Sequence, residues 1–134
     1  MVLANWSLQQ GYRPREVSEW LRTVFVDGYE WVMTANVIRM ATYADGGLMM
    51  TKPYAAGGAY IDRMTNFCGD CRYDPKQRTG EDACPFTRGY WAFLDRNVEV
   101  LQGNHRMAQP LAGLSRRGDI DQIRDESRPS RTPP

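Results

Sequence analysis

Three cysteines carry the strongest chemical signal in this sequence. Cys68, Cys71 and Cys84 form the pattern C-x2-C-x12-C, and Pro85 follows the third cysteine directly. Two cysteines two residues apart can turn both thiolates toward one metal, and the loop after them returns a third. Zinc sites and iron–sulfur clusters both use such sets, and both normally have four protein ligands. The spacing therefore predicts a metal site that is one ligand short.

Two sources for the fourth ligand stay open on spacing alone. The sequence has no further cysteine and one histidine, His105, which would complete a zinc site of three cysteines and one histidine. The alternative is a ligand outside this sequence. Without a metal, the residues would be three reduced structural cysteines, or a redox pair at Cys68 and Cys71, which requires a strand and helix setting that the pattern lacks.

The apolar spacing predicts an almost entirely helical chain, in which the cysteines lie on a loop. Residues 17–25 and 86–101 each place apolar side chains on one helical stripe, and residues 29–40 and 59–65 suit further helices. Residues 44–58 contain four glycines and a proline, which indicates a long loop. The segment between Cys68 and Pro85 also suits a loop. We find no alternation typical of strands.

Composition and charge bound the remaining possibilities. A chain of 134 residues with a net charge of +1 suits one globular domain and predicts no polyanion partner from charge alone. No apolar run approaches the roughly 18 residues of a membrane span, and the first ten residues do not resemble a signal peptide. We therefore expect a cytoplasmic protein without a membrane partner.

Several motifs of this sequence occur in the same order in one known family. In chain order they are FVDGYEWVM (25–33), YADGGLMMTKPY (43–54), YIDRM (60–64), C-x2-CRYD (68–74), RTGEDACPF (78–86), YWAFLDRN (90–97) and NHRMA (104–108). The chain resembles the iron–sulfur bacterial cryptochromes and photolyases, the deoxyribodipyrimidine photolyase-related proteins, which include prokaryotic (6-4) photolyases. The likeness covers residues 1–112. Residues 113–134 look divergent, with one short helix at 119–127 and a partly disordered end.

The resemblance implies an all-α fold, the C-terminal part of a helical domain that binds FAD and a [4Fe-4S] cluster. Cys68, Cys71 and Cys84 match three cluster ligands, and the family's fourth ligand is a cysteine upstream of this segment. His105 falls in a motif where the family does not use it as a ligand. Residues 1–112 would then form a partial FAD and iron–sulfur domain.

The resemblance also implies roles for other residues. Those that match flavin contacts are Asp27, Gly28 and Asn36. Those that match electron relays to the flavin are Trp20 and Tyr60, although aromatic residues on apolar stripes usually pack in a core. Those beside the DNA lesion are Tyr54, Met50 and Lys52, with Met49 as a further member of the same wall, although a packed surface loop is an equally simple interpretation.

The implied function of the parent protein is light-driven repair of pyrimidine lesions in DNA, of the (6-4) type. We expect this segment to be inactive alone and to need the remaining N-terminal portion or another chain to cover its apolar surface. Two alternatives stay open: a blue-light photoreceptor of the cryptochrome type, and a small zinc-binding interaction module built on the cysteines and His105.

Overall fold

Helices are the regular secondary structure of the part that the structure describes. The computed structural model describes residues 2–48 and 50–127. Within these ranges no strand forms, and one isolated β-bridge joins Asp74 to Ala83. The expectation of an all-α fold with a cysteine-rich loop is confirmed. Met49 lies outside the described residues, and so does the end of the chain from residue 128, where the sequence predicted disorder.

The described residues form eight α-helices, one π-helical segment and one 3₁₀ turn. In chain order they are α1 (Val2–Gln10), α2 (Pro14–Val24), α3 (Glu30–Met33), the π-helical segment (Thr34–Ala41), α4 (Gly58–Met64), α5 (Pro85–Arg96), α6 (Val98–Leu101), the 3₁₀ turn (His105–Met107), α7 (Ala108–Ser115) and α8 (Ile120–Glu126). The two long loops, at 42–57 and 65–84, fall where the sequence predicted them.

The junction of α1 and α2 follows local sequence rules. Gly11 follows α1 with φ +72°, a conformation that glycine adopts without a steric penalty. Pro14 occupies the first turn of α2, where its missing N–H is not needed. The second helix ends at Val24, one residue before the end of its apolar stripe, because Phe25 has extended backbone angles (φ −115°, ψ 130°).

The helix expected at residues 29–40 changes its hydrogen bonding after one turn. It is α-helical as α3 and becomes π-helical from Thr34 to Ala41. At its end the backbone N–H of Thr42 donates to the carbonyl of Val37, five residues back, at 2.9 Å. The Thr42 hydroxyl donates to the same carbonyl and to that of Ile38, and Tyr43 follows with φ +56°. Such widened turns often occur at functional sites.

Helix α5 is the centre of the packing. It contacts α1, α4, α7 and α8, and its residue Leu94 is fully buried. The main core cluster consists of Phe93, Leu94, Leu101, Met107 and Leu114. The stripe predicted at 86–101 is interrupted at Asn97, whose side chain donates to the carbonyl of Phe93 at 2.8 Å. This bond ends α5, and α6 begins at Val98.

Helix α8 belongs to the packed structure. Ile123 is 1% exposed, and α8 contacts α5 along its length. The short helix expected at 119–127 is therefore confirmed. The proposed division of the chain at residue 112 stays a prediction.

Several apolar side chains on and after α2 are exposed. Val17 and Leu21 of α2 are buried against Val37, whereas Trp20 is 51% exposed and Trp31 is 76% exposed. Five exposed apolar side chains from α2 to α3, called here together the α2 face, are Trp20, Val24, Phe25, Tyr29 and Trp31. Exposed apolar patches of this kind mark contact surfaces. Along the described residues, no helix has the length and apolar character that crossing a lipid bilayer requires.

Candidate metal centre and adjoining cavities

All three cysteines line one apolar cavity of about 370 Å³, called here the cysteine cavity. Cys84 is buried, Cys68 is half-buried and Cys71 is exposed. The other walls come from α1, α4 and the start of α5, and they include Val2, Trp6, Ile61, Phe67 and Phe86. Trp6 and Phe86 contact each other edge to face, with ring centroids 5.2 Å apart. The fold thus brings Cys84 to the same cavity as the C-x2-C pair.

The start of α5 fixes the third cysteine. Cys84 is the residue before α5, with extended backbone angles, and Pro85 occupies the first turn. A cysteine at this position faces the positive end of the helix dipole, which favours an anionic ligand set. Gly58, the first residue of α4, lies so close that a Cβ on it would be 2.5 Å from the Cys84 sulfur. Only glycine leaves room for the sulfur at this point.

Thr87 joins the cysteine loop to α4. Its hydroxyl accepts a hydrogen bond from the N–H of Gly58 at 2.8 Å and donates one to the carbonyl of Pro75 at 2.7 Å. Thr87 is 7% exposed, so both bonds lie away from water. The bond from the Gly58 N–H satisfies one of the four N–H groups that the start of a helix leaves without a partner. Sequence reasoning missed Thr87, because a single threonine in an apolar stripe carries no local signal.

The electrostatics at Cys68 favour the protonated thiol in the metal-free protein. Burial raises the pKa of Cys68, and the charges of Asp62, Cys84 and Cys71 raise it further. Mutual repulsion among thiolates is the expected cost of gathering them around one site. A bound cation removes that cost and releases the thiol protons.

The cysteines are not gathered closely enough to form a ready site for a single metal ion. Among the described residues, no three His, Cys, Asp or Glu side chains come close enough to hold one metal ion. A tetrahedral zinc with Zn–S bonds of ~2.3 Å needs its sulfurs within about 4 Å of one another. In a four-iron cluster each cysteine binds a different iron, so the sulfurs stand further apart. His105 is exposed and does not line the cysteine cavity.

A larger cavity of about 480 Å³ lies on the other side of α1, and it is called here the Asp27 cavity. Asp27 and Asn36, two of the three residues matched to flavin contacts, line it. Its apolar walls come from α1, α2 and the π-helical segment, and they include Leu21, Phe25, Met33, Val37 and Met40. The π-helical segment therefore positions one complete wall.

The polar groups of the Asp27 cavity suit a flat heterocycle with N–H groups. Asp27 is exposed, and Asn36 donates from Nδ2 to the carbonyl of Val32 at 3.0 Å, which leaves its side-chain oxygen as the acceptor. A carboxylate beside ring N–H groups forms strong, orienting hydrogen bonds. No Arg or Lys occurs among the described residues that line the cavity, so the cavity suits an uncharged ring and has no basic side chain for a phosphate.

Gly28 has a structural role in this arrangement. It does not line the Asp27 cavity. A Cβ on Gly28 would lie 2.9 Å from the Cα of Arg22 and 3.0 Å from the carbonyl oxygen of Phe25. Glycine is therefore needed for the chain to turn back against the end of α2, and this turn sets the position of Asp27.

A third cavity of about 250 Å³, the Lys52 cavity, gathers three other predicted residues. Lys52, Tyr54 and Tyr60 all line it. Tyr54 also lines the Asp27 cavity, so it stands between the two. Met50 is half-buried and lines neither cavity. Trp20 also lines neither, since it lies on the α2 face.

Side chains of α1 and of the segment before the 3₁₀ turn hold the glycine-rich loop. The Asn5 side chain donates to the carbonyl of Ala56 at 2.8 Å and accepts from its N–H at 3.0 Å. Gln9 donates to the same carbonyl at 2.7 Å. Asn104 donates to the carbonyl of Thr51 at 2.7 Å. Sequence reasoning missed all three residues, and the position of Asn5 among apolar neighbours in α1 was the only available signal.

Comparison with known proteins decides the family. The chain is 53% identical over 116 residues to a (6-4) photolyase of Agrobacterium fabrum, a match that covers 87% of this chain and 23% of the photolyase. The resemblance to the photolyase family is confirmed. Such identity over nearly the whole chain is far above what a shared fold alone requires. The chain spans about a quarter of the length of that photolyase.

A second relative is a viral protein. The uncharacterized protein R855 of Acanthamoeba polyphaga mimivirus is 37% identical over 70 residues, which cover 52% of this chain and 57% of the viral protein. No family model matches the chain. The photolyase match therefore carries the family assignment.

Proposed function

We propose that this chain provides three thiolate ligands of a [4Fe-4S] cluster and one wall of an FAD site in a photolyase-type protein. The whole protein would use light to repair (6-4) pyrimidine lesions in DNA. The main support is that Cys68, Cys71 and Cys84 line one cavity, although twelve residues lie between Cys71 and Cys84. The relative that matches most of the chain is named a (6-4) photolyase.

The cysteine cavity offers the environment that an iron–sulfur cluster requires. Its walls are almost wholly apolar, which limits the access of water and oxygen to sulfur and iron. Cys84 is held at the start of α5 by Thr87 and Gly58, and Cys71 reaches the surface. The fourth ligand would approach from the exposed side of the cavity, from a part of the protein outside this sequence.

The Asp27 cavity would hold the flavin ring. Bound flavin supplies light-driven electron transfer to a lesion, and the chain supplies orientation. Asp27 would accept hydrogen bonds from ring N–H groups, and the Asn36 side-chain oxygen would add a second acceptor. The apolar wall of the π-helical segment would face the ring and exclude water. Trp20 and Tyr60 remain candidate relays, and the phosphates of the cofactor would bind elsewhere.

The position of Tyr54 supports a lesion site beside that wall. Tyr54 lines both the Asp27 cavity and the Lys52 cavity, so a base stacked on its ring would lie next to the flavin. Enzymes that act on a base within duplex DNA extrude it into such a pocket. Lys52, which is exposed, is placed to contact a neighbouring phosphate, and Met50 would extend the apolar wall.

The α2 face would be the contact surface for the remaining part of the photolyase. Trp20 and Trp31 are both more than half exposed, and a chain that spans 23% of its relative lacks the segments that would cover them. We therefore propose that the chain alone repairs nothing, and that its partner is the rest of the photolyase polypeptide, supplied in the same chain or as a second one.

The deciding experiment is an anaerobic purification followed by a visible absorbance spectrum and a count of iron, acid-labile sulfide and zinc. We expect a broad band near roughly 400 nm with iron and sulfide in similar amounts. Cys84→Ala should abolish the band. His105→Ala is the matched control, and it should leave band and iron unchanged.

Two outcomes would contradict the proposal. A colourless protein with one zinc per chain, lost in His105→Ala, would identify a zinc module. A colourless, metal-free protein that also gains no iron and sulfide on anaerobic reconstitution with added thiol would mean that these three cysteines do not form a cluster site in this chain.

A further inference from the structure

Helix α8 makes a set of polar contacts to the cysteine loop that the proposed function does not use. Asp119, the residue before α8, pairs with Arg78 of the loop at 2.8 Å. Glu126, at the end of α8, pairs with Arg88 of α5 at 2.8 Å. Glu126 also accepts the backbone N–H of Gly80 at 3.3 Å. The two carboxylates thus contact the loop turn at residues 77–80 from both ends of one helix.

This turn is joined directly to the backbone of Cys84. The carbonyl of Gln77 accepts the N–H of Cys84 at 3.1 Å, and the carbonyl of Gly80 accepts the N–H of Ala83 at 3.2 Å. Gly80 has φ +90°, which keeps the turn tight. A displacement of the turn therefore moves the segment that carries the third cysteine.

Few other contacts restrain the same segment. The loop at 65–84 contains no helix, and its one β-bridge joins Asp74 to Ala83. Thr87 holds the first half of the loop through its hydrogen bond to Pro75. The turn at 77–80 is bound to α8 through the carboxylates of Asp119 and Glu126. The four charged side chains of the two pairs are 25–38% exposed, so solvent screens them less than a pair at the open surface.

We infer that Asp119 and Glu126 are positioning residues for Cys84: they fix the turn at residues 77–80 and thereby hold the thiol in the cysteine cavity. The geometric part of this inference concerns the protein without metal. That the fixed thiol serves an iron–sulfur cluster rests on the proposed function. Helix α8 would then stabilise the cysteine loop, although it lies in the divergent segment at residues 113–134.

The test measures thiol exposure in the metal-free protein. Each cysteine is alkylated with iodoacetamide under native conditions, and its rate is followed by mass spectrometry of the peptides. In Asp119→Ala/Glu126→Ala we expect the Cys84 rate to rise by about tenfold, because local opening of the loop becomes easier. The rate at exposed Cys71 should stay the same and serves as an internal standard.

A matched control separates positioning from a general loss of charge. Asp121→Ala/Glu99→Ala removes two carboxylates as well, but Asp121 pairs only with Arg124 of its own helix and Glu99 is exposed on α6. This control should alkylate at the wild-type rate. Glu126→Gln, which keeps the side-chain volume, provides a mild variant should the double alanine variant lose helical circular dichroism. It should raise the Cys84 rate by a smaller factor.

An unchanged Cys84 rate in the variants that keep wild-type circular dichroism would overturn the inference, as would an equal rise in the matched control. Iron and sulfide reconstitution then provides a separate readout, in which the double alanine variant should retain less iron than the control. If the wild-type chain takes up no iron, the proposed cluster fails, while the alkylation rates still decide whether α8 positions Cys84.

Discussion

Thr87 offers the sharpest test of how the cysteine loop is held. Thr87→Val keeps the shape of the side chain and removes both hydrogen bonds, to the N–H of Gly58 and to the carbonyl of Pro75. A buried polar group left without a partner costs about 1–3 kcal/mol. Gly58 is buried and Pro75 is half-buried, so the second loss lies at the low end. We expect the free energy of unfolding to fall by about 2–4 kcal/mol.

Urea denaturation followed by far-ultraviolet circular dichroism measures this change. With a denaturant slope of about 2 kcal/mol/M, the unfolding midpoint should fall by about 1–2 M. Thr87→Ser is the matched control, because it keeps the hydroxyl and loses one methyl group, which costs about 1 kcal/mol. The expected order of stability is wild type, then serine, then valine.

The serine variant makes the test decisive. Equal midpoints for Thr87→Ser and Thr87→Val would show that packing, and not the hydroxyl bridge, accounts for the loss. A valine variant within about 0.3 M of wild type would refute the bridge outright. Either result would also weaken the argument that Thr87 positions the loop for metal binding.

Three further predictions concern neighbouring contacts. Gly58→Ala places a Cβ 2.5 Å from a cysteine sulfur, so urea denaturation should show a free energy of unfolding lower by about 1–3 kcal/mol, and the iron content should fall. In Gly57→Ala the nearest atom to the new Cβ is 3.5 Å away, so neither quantity should fall. Asn5→Ala should speed tryptic or chymotryptic cleavage in the loop at 42–57. Hydrogen bonding lowers the pKa of Asp119 and Glu126 below their ordinary values of 3.8 and 4.5. The stabilising contribution of the two carboxylates is therefore fully present above these values. The free energy of unfolding should fall as the pH drops below about 4.5, and Asp119→Asn/Glu126→Gln should make this fall smaller.

Much of the helical framework could be predicted from apolar spacing. The stripe at residues 86–101 marks α5 and α6, and Pro14 and Gly11 mark a start and an end. The π-helical segment could not be predicted, because a run of eight residues is too short for apolar spacing to distinguish π-helical from α-helical hydrogen bonding. The break at Asn97 was not predicted either, because one side-chain hydrogen bond determines where α5 ends.

Apolar spacing along the sequence predicted least well which side chains are exposed to solvent. The stripe of α2 suggested one buried face, yet Trp20 is half exposed while Val17 and Leu21 are buried. An apolar stripe states which side chains prefer burial, and it does not state whether the covering surface lies in the same chain. The chain matches 23% of a photolyase, and the proposal that the rest of such a protein covers Trp20 rests on that match.

The cysteine site could be proposed from the sequence because metal ligands need defined residue types at short spacing. The residues that support it could not. Thr87 and Asn5 each make two hydrogen bonds to backbone groups in distant parts of the chain. Any polar residue at those positions would look the same in the sequence, so the contact becomes visible only once the loop path is known.

The same reasoning explains α8. Its sequence is charged and followed by prolines, a composition typical of disordered ends. One buried side chain, Ile123, packs it on α5, and its carboxylates reach Arg78 and Gly80 more than forty residues away. A helix of seven residues is too short to be stable through its own hydrogen bonds, so these long-range contacts must stabilise it. Because the contacts are mutual, whatever loosens α8 should also loosen the loop that carries the cysteines.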